Sequence, residues 1–242
     1  MFQAAALRRE GPERRDDRPR RRPWRGGTGA AGVPLLNVTP AVLWLIIANL
    51  AVHLVRMLLP DALDAHLFHI LGLVAARLTG ALPRGPADPL TLISYQFLHA
   101  GLDHLGINML ALLAFGVGVE RRIGAWRFLV FYLICGVAGG AAHLIAFASS
   151  PVPLVGASGA ISGCFAAALR LVTGARDPAA PGGLAGLRQV AVIAAIWLGS
   201  QVLFGAIGDG AGLFGLVAWW AHVGGFLAGL LLIRLFLPRP PA

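Results

Sequence analysis

Apolar residues along this chain run in blocks rather than alternating with polar ones. Six blocks stand out, at about residues 40–59, 104–119, 127–148, 157–173, 188–205 and 216–236. Roughly 20 helical residues cross a ~30 Å hydrocarbon core. The pattern therefore predicts an all-α membrane protein, a bundle of six transmembrane helices. The second and fourth blocks are short, which suits helices that begin below the membrane surface in a protein-lined cavity. The 60–98 connection is too long for a turn, and its DALDAHLFHILGLVAARL segment predicts a helix in or on the outer leaflet.

Composition agrees with this reading. The 242 residues are 57% hydrophobic and only 13% charged, with a mean hydropathy of +0.74. A soluble domain carries about a quarter charged residues. The formal charge of +9 is concentrated rather than spread. Every basic residue is arginine, and RREGPERRDDRPRRRPWRGG near the N-terminus mixes arginine with acid, proline and glycine. That mixture predicts a disordered tail over 1–36, ahead of a membrane domain over 37–238 and a short C-terminal tail over 239–242. No aromatic groove or recognition motif accompanies it, so no nucleic-acid partner is expected. Neither a transit peptide nor a cleavable signal is evident. Cys135 and Cys164 lie inside apolar blocks and read as buried hydrophobes.

Arginine also sets the topology. The tail, the Arg121/Arg122/Arg127 group, the Arg170/Arg176/Arg188 group and the Arg234/Arg239 pair all fall on one side if the N-terminus is inside. The other side keeps Arg56, Arg77 and Arg84. The positive-inside rule then places both termini in the cytoplasm.

With that orientation, blocks two, four and six run from outside to inside. Polar residues within spans are candidates for function, and three of these helices carry them at similar depth: His104 and Asn108, Ser158, and His222. Gly159 and Gly163 form one small-residue face, and Gly225 and Gly229 another; such faces let helices approach closely in membranes. His222 shares its face with Gly225 and Gly229, so packing the two faces together carries His222 toward Ser158. A serine needs a base to become a nucleophile, and His222 is that candidate. Oxyanion donors come from N–H groups at the start of the fourth helix and from the side chains of His104 and Asn108. No acid lies at matching depth, which points to a Ser-His dyad; Asp103 and Asp209 are the nearest acidic alternatives. His99 reads as a cap or tether. His53 and His143 read as structural, His66 and His69 as interfacial, Ser162 as packing and Glu120 as a structural link. No H-E-x-x-H motif occurs, so no metal and no cofactor are expected.

Four segments carry a further signal in this order: FLHAGLDHLGINM (Phe97–Met109), GVGVERRIG (Gly116–Gly124), GASG (Gly156–Gly159) and AHVGGFLAG (Ala221–Gly229). Together they resemble the motifs of the rhomboid family of intramembrane serine proteases, over about residues 37–236. The resemblance implies that Ser158 is the nucleophile and His222 the general base. It implies oxyanion stabilisation at His104, Asn108 and the Ser158 amide, with Gly156 bordering that site. It also implies cleavage of membrane-protein substrates near the outer end of transmembrane segments with helix-weakening residues, within the lipid bilayer. The glycine-rich link before the sixth block would match a lid. Two departures stand out. Leu90-Thr91 occupies the place of a Trp-Arg pair found in some relatives. Ser162 stands where some relatives stack an aromatic ring on the histidine. The sequence carries no signal for an oligomeric state. Lysine-free, arginine-rich usage suggests a GC-rich genome and hence a bacterial inner membrane, with an organellar membrane as the alternative. A catalytically silent relative that binds transmembrane helices is the alternative function, and a small transporter ranks third.

Overall fold

The computed structural model describes residues 38–173, 183–211 and 219–238. The arginine-rich tail over 1–36, the C-terminal tail over 239–242, residues 212–215 of the expected lid segment (206–215) and residues 216–218 of the sixth block lie outside the described residues, as does 174–182.

Helix α1 (Pro40–Met57) starts on a proline, whose fixed φ suits the first turn. It ends ahead of Pro60, which cannot extend it. Helix α2 (Asp61–Leu71) carries Asp61 and Asp64 in its first turn and has no buried residue. The long amphipathic helix expected here stops at Gly72, where the chain extends instead. Leu73–Val74 (β1) pairs antiparallel with Pro153–Leu154 (β2). A Cβ on Gly72 would sit 2.5 Å from the Phe68 carbonyl and 2.8 Å from Pro153 Cβ, so glycine is what lets the two strands meet. A short helix α3 (Ala75–Leu78), a one-turn helix α4 (Thr91–Ser94) and two 3-10 turns, Asp88–Leu90 and Tyr95–Phe97, fill the rest of this connection.

Helices α5 (Leu102–Ile123) and α6 (Ala125–Ala146) are separated only by Gly124, at φ +84°. Then come α7 (Ser158–Val172), α8 (Gly183–Ala211) and α9 (Trp219–Phe236). Four helices, α1, α5, α6 and α9, are long and apolar enough to cross a membrane, and the protein is an integral membrane protein. Helix α7, at 15 residues, covers about 22 Å at 1.5 Å per residue. Helix α8 runs through residues 206–211 of the link expected before the sixth block.

Helix α7 is the core of the bundle, packed against α5, α6 and α9. The glycines set its spacing. A Cβ on Gly225 would collide with the Gly159 carbonyl, and one on Gly229 with the Gly163 carbonyl. On the neighbouring seam, a Cβ on Gly139 would lie 2.6 Å from the Ala221 carbonyl. Cys135 and Cys164 are buried free thiols, and Cys135 lies against Gly163 of α7.

Polar side chains tie the periphery to this core. Glu120, buried near the end of α5, accepts from Thr39 Oγ1 at 2.5 Å, Ala41 N–H at 3.0 Å and Val42 N–H at 2.9 Å. It thereby satisfies first-turn donors of α1 that have no partner within the helix. On the opposite end of α1, Arg56 pairs with Asp64 of α2 at 2.7 Å and donates to the His99 carbonyl at 2.7 Å. Its guanidinium also lies 4.5 Å over the Phe68 ring.

Hydrogen bonds to a charged acceptor are worth about 1.5–3 kcal/mol each, and they share one carboxylate here. Glu120→Ala is therefore expected to destabilise the protein by about 3 kcal/mol. The check is the thermal midpoint of the purified variant in detergent against that of the parent.

Candidate active site

Ser158 is the first residue of α7, so its side chain and N–H sit at the positive end of that helix. The turn before it depends on Gly156, at φ +121°, a conformation that residues with a Cβ rarely adopt. A Cβ there would also lie 2.8 Å from His104 Cε1 and 2.9 Å from Nε2. The Gly156 N–H donates to the Tyr95 carbonyl at 2.9 Å, so Gly156 borders the site through the room it leaves rather than as a free donor. Tyr95 is itself fixed: its buried hydroxyl donates to the Gly136 carbonyl of α6 at 2.7 Å. Burial pushes that phenol above its ordinary value.

The glycine seam between α7 and α9 brings His222 to Ser158. His222 Nε2 lies 2.8 Å from Ser158 Oγ. This is hydrogen-bonding reach between a hydroxyl and a base. Ser162, one turn into α7, donates its hydroxyl to the Ser158 carbonyl at 2.7 Å.

Helix α5 supplies the third side. The Ala100 N–H points at His104 Nδ1, 3.4 Å away. That contact casts Nδ1 as acceptor and leaves the ring proton on Nε2, the atom beside Gly156. Asn108, one turn on, donates from Nδ2 to the His104 carbonyl at 2.8 Å, while its buried Oδ1 has no partner among the described residues. Asn108 thus reaches the site by bracing the backbone beneath His104. His99 packs edge-on against the His104 ring, with centroids 5.0 Å apart. Burial, and then the nearness of His104 and His53, lowers the His99 pKa to about 3. His99 is therefore a neutral support for His104.

Sequence reasoning missed one contact. Gln201 of α8 places Oε1 2.7 Å from His222 Nδ1. It is a polar residue within an apolar block, and that alone marks it for attention. Its partner becomes visible only from helix register. Trp197, one turn earlier on α8, stacks on Phe226, one turn later on α9, with centroids 4.6 Å apart and planes at 18°. Antiparallel helices locked at that pair bring Gln201 opposite His222. Among the described residues, no three His, Cys, Asp or Glu side chains gather at one point.

The chain matches the rhomboid domain family over residues 86–239. Among curated proteins, it is 46% identical over 78 residues to rhomboid protease GluP of Bacillus subtilis, covering 32% of this chain and 15% of that one. It is 36% identical over 155 residues to RHOMBOID-like protein 4 of Arabidopsis thaliana, covering 62% of this chain and 34% of that one. It is 37% identical over 83 residues to putative rhomboid protease YdcA of Bacillus subtilis, covering 34% and 40%. The chain spans less than half the length of these relatives.

Overpacking a tight contact costs about 1–3 kcal/mol. Gly225→Ala is expected to lower the thermal midpoint and to lengthen the Ser158–His222 contact. An added Cβ at Gly118 meets nothing within 4 Å, so Gly118→Ala is the matched control. Thermal melts of both variants, with the reactivity of Ser158 toward a fluorophosphonate, measure the difference.

Proposed function

The chain belongs to the rhomboid family, and from that premise we propose that it is an intramembrane serine endopeptidase working through a Ser158–His222 dyad. The observation that carries this reading is the 2.8 Å contact between Ser158 Oγ and His222 Nε2, made by two separate helices. A packing serine has no need of a histidine ring nitrogen at that distance.

The chemistry follows from the geometry. His222 Nε2 takes the Ser158 hydroxyl proton as Oγ attacks the scissile carbonyl, a transfer worth about 10²–10⁴ in rate. The carbonyl oxygen becomes an oxyanion. The Ser158 N–H, the positive end of α7 and His104 Nε2–H are its stabilisers, each such donor contributing about 10²–10³. Asn108 holds His104 in place through the His104 carbonyl. His222 then delivers its proton to the leaving amine as the C–N bond breaks, leaving an acyl ester on Ser158. A water gives its proton to His222 and attacks the ester. Collapse of that second oxyanion frees a carboxyl terminus, and the proton on His222 returns to Ser158 Oγ.

The substrates in this reading are membrane proteins whose transmembrane segments carry helix-weakening residues, cut near the outer face. The full architecture is a six-helix bundle with α7 and α8 also crossing and both termini in the cytoplasm. The arginine distribution supports that topology. Arginine-only basic usage and similarity to Bacillus subtilis proteins favour a bacterial inner membrane.

The test is fluorophosphonate labelling of the purified protein in detergent, with cleavage of a transmembrane model substrate. Ser158→Ala is expected to abolish both. His222→Ala is expected to lower labelling by at least about a hundredfold. Wild-type protein that resists the probe while a control protease reacts would instead favour a silent, helix-binding relative.

A further inference from the structure

We infer that Gln201 is a positioning residue of this site, the partner that fixes the tautomer of His222. The inference rests on the protease reading above. It starts from a requirement of the dyad: Nε2 must be unprotonated to accept from Ser158, so the neutral ring must carry its proton on Nδ1. In an isolated imidazole neither nitrogen is strongly favoured. The partner of the second nitrogen decides.

That partner here is Gln201 Oε1, at 2.7 Å from Nδ1. A carbonyl oxygen only accepts, so the contact demands a proton on Nδ1 and leaves Nε2 free. The other end of the same amide points to Ser200 Oγ, 3.5 Å away, which is consistent with this orientation. Reversed, the amide would donate to Nδ1, push the proton to Nε2 and disarm the dyad. One side-chain orientation on α8 thus separates a competent base from an incompetent one.

The register behind it is built rather than incidental. Trp197 is sandwiched among Phe165 of α7 and Phe226 of α9, with centroid distances of 6.0 and 4.6 Å. Phe165 also meets Phe226 at 5.8 Å and Phe115 of α5 at 4.9 Å. This aromatic layer pins α8 against the bundle one turn from Gln201. The position four residues after Ser158, where an aromatic ring would steady the histidine from α7, holds Ser162, whose hydroxyl is spent on the Ser158 carbonyl. Support for His222 comes from α8 instead. An amide supplies that acceptor without a net charge beside the ring.

Among the described residues, the titratable group that faces His222 is His104 on α5. Helices α7 and α8 present Ser158 and Gln201, and α6 presents the small residues Ala138, Gly139 and Ala142 against α9.

The test compares full-length wild type, Gln201→Leu and Gln201→Glu in detergent. Gln201→Leu keeps the volume and removes the acceptor. It is expected to lower kcat about tenfold with KM unchanged, and to lower the thermal midpoint by no more than the loss of one neutral hydrogen bond accounts for. Gln201→Glu keeps the acceptor and adds charge, which favours the imidazolium. It is expected to retain activity while the acidic limb of the kcat profile moves to higher pH. Unchanged kcat in Gln201→Leu, or an unmoved limb in Gln201→Glu, overturns the inference. Should Gln201→Leu not fold, the Gln201→Glu profile decides alone. The ¹⁵N shifts of His222, assigned by difference from His222→Ala, give a readout independent of activity. A proton on Nδ1 in wild type, lost to a mixture in Gln201→Leu, supports the inference; a proton on Nε2 in wild type refutes it. Inert wild type with Nδ1 protonated would fault the protease reading and leave the role of Gln201 standing.

Discussion

Backbone-to-backbone contact between α7 and α9 is the constraint on which the rest depends. Gly225 lies on the Gly159 carbonyl and Gly229 on the Gly163 carbonyl, with no room for a methyl group at either crossing. In lipid there is no water to drive apolar faces together, so close approach and dispersion must hold helices in contact. The same two crossings fix the depth of His222 relative to Ser158. The site is one turn away from the seam, so chemistry and packing are set by the same residues.

The loops complete what the seam begins. The two-residue β1–β2 pairing and the Gly156–Tyr95 hydrogen bond hold the chain just ahead of Ser158. Tyr95 passes that restraint on to α6 through the Gly136 carbonyl. His99 and Asn108 do the equivalent for His104, one from beside its ring and one from its own carbonyl. The nucleophile and its neighbours are thereby held from four directions.

Much of this was legible in the sequence because two periodicities carry it. Apolar blocks located the helices, and three- and four-residue spacings placed His222, Gly225 and Gly229 on one face. Alternating helix direction put the starts of the second, fourth and sixth blocks at one end of the bundle, and so Ser158 and His222 could be paired across 64 residues of sequence. What escaped has physical reasons. Strands of two residues are too short to display a period. The break at Gly72 reflects the approach of Pro153 from far along the chain. Glycines at 205, 208 and 210 suggested a link, yet helix continues to Ala211; a glycine costs a helix about 1 kcal/mol, less than exposing backbone to an apolar medium. Gln201 escaped because its register is set by the Trp197–Phe226 stack, an event between helices that no local spacing records.

The glycine seam has one more consequence, for temperature. Burial that is driven by water carries a large heat-capacity change and weakens on cooling. At the Gly159–Gly225 and Gly163–Gly229 crossings no apolar side chain leaves water, so that component is missing. The contact that aligns Ser158 with His222 therefore lacks the contribution that weakens on cooling.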